Sequence, residues 1–168
     1  MRFRDALMSD LPQIVAIYNT TIAGRLVTAD TTPVTTESRI NWFHAHNPDT
    51  RPLWVCEDEK DKMLGWVSYQ DFYGRPAYNG TAEISIYLDE TSRGKGLGKK
   101  MLQHAISQCP GLGIHTLLGF IFAQNKASIS LFEKLGFEEW ANLKDIAILD
   151  GKPCSLKILG LKIQYRLT

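Results

Sequence analysis

Arg93-Gly94-Lys95-Gly96-Leu97-Gly98 follows a strand-like run, Ala82-Glu83-Ile84-Ser85-Ile86-Tyr87-Leu88, and leads into a helix-like run that begins near Leu97. A glycine-rich turn is therefore set at a helix N-terminus. Backbone N–H groups at such a turn have no intrahelical partner, and the helix dipole adds partial positive charge, so the position suits the oxygens of a pyrophosphate. Spacing narrows the choice. A nucleoside-triphosphatase loop needs glycine five residues before its Gly-Lys pair and Ser or Thr after it; around Gly98-Lys99 those places hold Arg93 and Lys100. A dinucleotide fingerprint needs Gly-x-Gly-x-x-Gly. Started at Gly94 or at Gly96, it fails at Lys99 or Met101. The pattern that remains is Arg-x-x-Gly-x-Gly.

Bulk properties bound the class. With 168 residues, 44% hydrophobic and 22% charged, residues 1–168 are expected to form a single soluble domain with one continuous core. A net charge of +1 argues against a nucleic-acid partner, while Lys95, Lys99 and Lys100 form a patch of a size suited to a phosphate-bearing cofactor. Cys56, Cys109 and Cys154 are odd in number and lack CxxC spacing, which argues against a disulfide framework and a metal site. No apolar run approaches the roughly 20 residues of a membrane span, and the acidic turn at Asp5 does not suit a signal peptide. A cytoplasmic protein with no membrane partner is expected.

Periodicity gives the element order β-α-α-β-β-β-α-β-α-β-β. The elements are Arg2 to Ala6, a helix capped by Ser9 and running to Gly24, a helix capped by Thr35 or Thr36, and strands from Leu53 to Glu57, Met63 to Phe72 and Thr81 to Leu88. A helix from Leu97, a buried strand from Ile114 to Ala123, a helix capped by Asn125 and ending at Gly136, and two last strands, Phe137 to Leu149 and Cys154 to Leu161, complete it. Three consecutive strands joined by short turns must be antiparallel, which excludes an all-parallel doubly wound fold.

The Arg93–Gly98 loop resembles the pyrophosphate motif of the GCN5-related N-acetyltransferases (GNAT), which use acetyl-coenzyme A. A second motif agrees: Asn125-Lys126-Ala127-Ser128-Ile129-Ser130-Leu131-Phe132-Glu133-Lys134-Leu135-Gly136-Phe137 is similar to that family's helix Asn-x-x-Ala/Ser-x-x-Leu-Tyr-x-Lys-x-Gly-Phe. The resemblance implies an α+β fold, in which a central, mostly antiparallel mixed sheet is flanked by about four helices. It also implies that Arg93, Gly94, Lys95, Gly96, Leu97, Gly98, Asn125 and Ser128 bind the cofactor. A backbone N–H of the Ser85-Ile86-Tyr87 stretch is expected to hold the thioester oxygen, beside a bulge that splays two parallel strands.

A narrower resemblance spans nearly the whole chain. Ile17-Tyr18-Asn19, Thr31-Thr32-Pro33-Val34-Thr35 with Trp42-Phe43, and Tyr73-Gly74-Arg75-Pro76-Ala77-Tyr78 look like the phosphinothricin and methionine sulfoximine acetyltransferase branch. The branch acetylates the α-amino group of small amino-acid analogues and is usually homodimeric, so a small amine or amino-acid substrate and a homodimer are expected. Within that reading Arg75 is the candidate clamp for a substrate carboxylate, because guanidinium offers two parallel donors. Pro76, Ala77, Tyr78 and Thr32 are expected around the same substrate, and Trp42 is a candidate lining residue.

An ammonium has no lone pair with which to attack a thioester, and an α-amine of pKa about 8 is mostly protonated at pH 7. A proton acceptor is needed near the acetyl group. Strand alternation sets Glu83, Ser85 and Tyr87 on one face and Ile84, Ile86 and Leu88 on the other, so Glu83 is the candidate base, at the place of the branch's own. Two departures stand out. Phe132 replaces a tyrosine proposed to protonate the leaving thiolate, and Thr32 replaces a glutamate common before the proline. Rival readings are a peptide or protein N-terminal acetyltransferase and a non-catalytic acyl-coenzyme A-binding regulatory domain.

Overall fold

The computed structural model describes residues 1–163; residues 164–168 of the expected domain lie outside the described part. Seven strands form one sheet in the order β1-β2-β3-β4-β5-β7-β6. They are β1 (Arg2–Asp5), β2 (Leu53–Glu57), β3 (Met63–Asp71), β4 (Thr81–Leu88), β5 (Thr116–Phe122), β6 (Glu138–Leu149) and β7 (Lys152–Lys162). Four α-helices accompany them: α1 (Leu11–Asn19), α2 (Ile40–His44), α3 (Leu97–Gln108) and α4 (Lys126–Glu133). Every neighbouring pair is antiparallel except β4 with β5. The expected element order, mixed sheet and helix number are all present.

Alternation along β3 explains why the sheet carries helices on both faces. Val67 and Tyr69 join the cluster that contains Met101, Leu102 and Ala105 of α3 and Ile129 and Phe132 of α4. Trp66 joins the opposite cluster with Ile14 and Ile17 of α1, against which Trp42 and Phe43 of α2 pack. Two buried aromatics tie the layers through their polar ends: Tyr69 Oη donates to the Ala105 carbonyl at 2.8 Å, and Trp66 Nε1 donates to the Ile14 carbonyl at 3.1 Å. Such groups cost stability if buried without a partner. Here both are satisfied.

Several local readings are corrected. Ser9 caps nothing; Asp10 stands at the N-cap place of α1 but makes no side-chain bond to that helix, its carboxylate accepting instead from the upstream Leu7 N–H at 2.7 Å and from Arg4. Helix α1 stops at Asn19, well before Gly24, because the Thr20 and Thr21 hydroxyls bond back to the Ile17 and Tyr18 carbonyls at 2.7 Å each. Thr35, rather than Thr36, supplies a cap: its Oγ1 accepts from the Ser38 N–H at 3.2 Å. Asn125 caps α4 as expected, accepting from the Ser128 N–H at 3.1 Å. Gly136, at φ +90°, follows that helix rather than ending it, and lets the Phe137 N–H return to the Phe132 carbonyl at 3.2 Å.

The central pair matters most. Strand β4 pairs with β5 only at Thr81, Ala82 and Glu83, although β4 runs to Leu88 and β5 to Phe122. Beyond Glu83 the two parallel strands diverge. The register of β4 against β3 is unbroken from Ala82 to Leu88, so the expected bulge is not what parts them.

Candidate active site

Two cavities meet at the parting of β4 and β5. One, of about 150 Å³, lies between the sheet and helices α1 and α2 and is lined by Glu83, Ser85 and Tyr87 of β4, Trp66, Ser68 and Gln70 of β3, and Tyr18, Arg39 and Trp42 from the helical layer. The other is the cleft between the diverging strands, lined by Ile84 to Tyr87, Phe120 and Ile121, with Asn125 and Ser128 at the start of α4. Ser85 and Tyr87 line both. The cross-strand pairs Gln70–Glu83, Ser68–Ser85 and Trp66–Tyr87 make the floor of the first cavity.

Glu83 occupies the position that alternation assigns to it. It is mostly buried and receives no hydrogen bond among the described residues, and burial raises its pKa above the ordinary carboxylate range. Tyr87 stacks on Trp66 with ring centroids 4.3 Å apart and meets Tyr18 at 5.2 Å, which places an aromatic wall beside the carboxyl. Burial raises the Tyr87 and Tyr18 hydroxyl pKa values, so both stay protonated at neutral pH.

The hydrogen-bond ladder identifies one backbone donor in the cleft. Asp89 N–H donates to the Leu64 carbonyl, and Tyr69 N–H donates to the Pro52 carbonyl, away from β4. Continuing that alternation along β4 turns the N–H groups of Ile84 and Ile86 toward β5. Pairing with β5 ends at Glu83, so the Ile86 N–H points into the cleft. Within the expected Ser85-Ile86-Tyr87 stretch, Ile86 is the residue with a donor to offer.

The glycine loop sits just past the C-terminal end of β4 and opens α3, while Asn125 opens α4 past the end of β5. Both helix N-termini therefore stand at the edge where the parallel pair separates. Gly94 and Gly96 have φ of +73° and +72°, and a Cβ at either would meet nothing within 4 Å. Their requirement is for backbone conformation and for open space beside the chain. The N–H groups of Leu97, Gly98 and Lys99 precede the first α-type bond, from Lys100 to the Gly96 carbonyl. Gly98 differs: a Cβ would come 3.3 Å from Leu131, so it serves the packing of α3 on α4. Arg93 Nη2 donates to Thr20 Oγ1 at 3.0 Å and Lys95 Nζ to the Thr91 carbonyl at 2.7 Å, which hold the loop in place. This set of free backbone donors with neighbouring lysines fits the pyrophosphate of a coenzyme A thioester.

The expected acceptor residues lie elsewhere. Arg75, Pro76, Ala77 and Tyr78 form an exposed turn after β3, and Arg75 faces Tyr73, 6.0 Å from its ring centroid. Thr32 is exposed too, and none of the five lines the Glu83 cavity within the chain. The reason is topological: the β3–β4 connection projects beyond the sheet, whereas the cavity opens under α1 and α2. Trp42 does line it. Ser68, Gln70 and Arg39 line it although no sequence pattern pointed to them, and Tyr18, part of the Ile17-Tyr18-Asn19 resemblance, lines it without having been expected there. For Ser68 and Gln70 a signal was available but unread, since polar residues alternate with Val67 and Tyr69 inside a central strand. Phe132 lies in neither cavity; it is buried over Gly119 and against Phe137, ring centroids 4.7 Å apart.

Comparison with known proteins agrees with this geometry. The sequence profile of the Acetyltransferase (GNAT) family matches residues 14–137. The chain belongs to this family and is an N-acetyltransferase. It is 55% identical to the "Putative phosphinothricin acetyltransferase YwnH" of Bacillus subtilis (strain 168), over 97% of this chain and 99% of that one. It is 34% identical to an L-methionine sulfoximine/L-methionine sulfone acetyltransferase of Pseudomonas paraeruginosa (strain DSM 24068 / PA7), over 95% and 93% of the two chains. Among solved structures, a GNAT superfamily phosphinothricin acetyltransferase from Sinorhizobium meliloti in complex with AcCoA superposes with a TM-score of 0.89 at 28% identity, covering 96% of this chain and 88% of that one.

Proposed function

We propose that the enzyme transfers an acetyl group from acetyl-coenzyme A to the α-amino group of a small amino acid or amino-acid analogue of the phosphinothricin or methionine sulfoximine and sulfone kind. The observation that carries this reading is the junction of a partly open cavity lined by the mostly buried Glu83 carboxyl with a strand-parting cleft, the two sharing Ser85 and Tyr87. A cavity of about 150 Å³ suits a molecule the size of an amino acid. That favours a small acceptor over a peptide chain, and the placement of Glu83 favours a catalyst over a purely regulatory acyl-coenzyme A-binding domain.

Bound acetyl-coenzyme A supplies the activated thioester. Backbone N–H groups of residues 94 to 99, with Lys95 and Lys99, hold its pyrophosphate, and Asn125 and Ser128 line the cleft for its pantetheine arm. Glu83 accepts the proton of the acceptor's ammonium, directly or through one water, and so frees the lone pair. The Ile86 N–H is placed to stabilise the carbonyl oxygen as it gains negative charge. Trp66, Tyr87 and Trp42 exclude water from the acceptor side. Phe132 has no proton to give, and a thiol of pKa about 8.5 leaves as thiolate without an obligatory donor.

The enzyme is further read as a cytoplasmic homodimer. Its three unpaired cysteines suit a reducing compartment, and the aromatic group Phe72, Tyr73 and Tyr78, with Tyr73 73% exposed, offers an apolar surface for a second copy. The deciding assay is release of free thiol from acetyl-coenzyme A against a panel of free amino acids, their sulfoximine and phosphinate analogues, and short peptides. Turnover confined to the free amino-acid class is expected. Turnover only with peptides, or none despite cofactor binding, rejects the reading.

A further inference from the structure

The Glu83 cavity contains a cation, and it is not the arginine to which the sequence pointed. Among the described residues that line it, Arg39 alone carries positive charge. Asp30 Oδ2 accepts from Arg39 Nη2 at 2.8 Å. The same oxygen accepts from the Tyr18 hydroxyl, which is also hydrogen-bonded to Thr28 Oγ1. The guanidinium carbon lies 4.8 Å from the centroid of the Tyr18 ring and 5.9 Å from that of Trp42. Its plane is thus held on aromatic faces by one carboxylate. Of the five N–H donors of a guanidinium, Asp30 uses one, and no other side-chain or backbone acceptor for Arg39 exists among the described residues.

A guanidinium fixed in this way, with donors to spare and facing a cavity that also holds a proton acceptor, has the form of a carboxylate reader. The side-chain entropy is lost before the ligand arrives, and a carboxylate can engage two parallel N–H groups at once. A solely structural strap between the 25–34 segment and α2 would not need to line the cavity. From the geometry we infer that Arg39 binds the α-carboxylate of the acceptor, with Asp30 and Tyr18 as positioning residues that hold its guanidinium. The inference rests on the amino-acid acceptor proposed above. It gives the cavity two ends: Glu83 for the α-amine and Arg39 for the carboxylate.

The test compares the best amino-acid acceptor with its primary carboxamide, which keeps the amine and loses the negative charge. Wild-type enzyme should prefer the acid. Arg39→Gln should lower kcat/KM for the acid by roughly 30-fold, mainly through KM, while changing the value for the amide by less than about threefold. Where the amide is not turned over, its inhibition constant against the acid gives the same comparison. Arg39→Lys should recover part of the loss on the acid, and it stands in for Arg39→Gln should that variant not fold. Asp30→Asn should raise KM for the acid less than Arg39→Gln does. A wild-type enzyme indifferent to the acid–amide change, or a variant that loses acid and amide alike, overturns the Arg39 assignment while leaving amino-acid acetylation standing. A wild-type enzyme that acetylates no free amino acid rejects the underlying function instead.

Discussion

At Glu83 the relevant quantity is the difference between the carboxyl in water and the carboxyl under Trp66 and Tyr87. Burial disfavours the charged form and moves the pKa upward, toward the range in which a base can both exist ionised at neutral pH and accept a proton efficiently. Below that pKa the carboxyl is protonated and cannot act, so kcat/KM should rise with pH through an acid limb set above the ordinary carboxylate range. Glu83→Gln should remove that limb. It should cost roughly 100-fold in turnover at pH 7 but less than about tenfold at pH 9, where the free amine is abundant. A stopped pH-rate series on both proteins checks this, and equal losses at the two pH values would show that Glu83 is not the base. Glu83 was legible from sequence because the two-residue period of a strand fixes which neighbours share its face. Arg39 was not: it stands 44 residues away, and only the packing of α2 over the sheet brings it to the same cavity.

Among the elements, the loop that opens α3 separates conformational from ligand-binding requirements. Gly94 and Gly96 both adopt a left-handed backbone, and added Cβ atoms would touch nothing. Gly94→Ala or Gly96→Ala should therefore cost stability only the conformational penalty, about 1 kcal/mol, read as a small fall in Tm. The larger effect should be on cofactor use, with KM for acetyl-coenzyme A raised roughly tenfold because the turn no longer presents its N–H groups in one direction. Should the variants melt early and bind cofactor normally, the loop is a structural turn alone. Asn125 behaved as its sequence predicts, since a cap is a local matter of one side chain and an N–H three residues on. The expected end of α1 failed for a local reason too, in that Thr20 and Thr21 close the helix before a glycine is needed.

Over the whole molecule, the N-terminal strand is fastened by an ion network that has no part in the site. Arg4 donates to Glu57 and Asp10, and Arg2 donates to Glu57 and Asp61, with Glu57 buried. The Arg4 guanidinium, and then Arg2, hold the Glu57 carboxyl below its ordinary range, and Arg4 does the same for Asp10. Carboxyls depressed in this way stabilise the fold above their unfolded pKa values, and the contribution is lost as pH falls through the lower folded values. Thermal stability should accordingly decline as the solution is acidified below about pH 4.5. Glu57→Gln should cost about 3 kcal/mol at pH 7 and flatten that decline, as followed by thermal melts from pH 3 to 7. A variant that keeps the full acid sensitivity would place its origin in other groups.

Sequence by itself determined the element order, the glycine turn that opens α3, the cap on α4 and the face on which Glu83 stands. Each depends on residues within a turn or a strand of one another, where periodicity, left-handed glycines and side-chain caps act directly. Only the tertiary structure decided where β4 and β5 part, that the Ile86 N–H faces the cleft between them, and that Arg39 and Tyr18 rather than Arg75 and Tyr78 share a cavity with Glu83. Those outcomes depend on how α1 and α2 pack over a sheet whose strands come from both sides of them in the chain, and no local pattern encodes that contact.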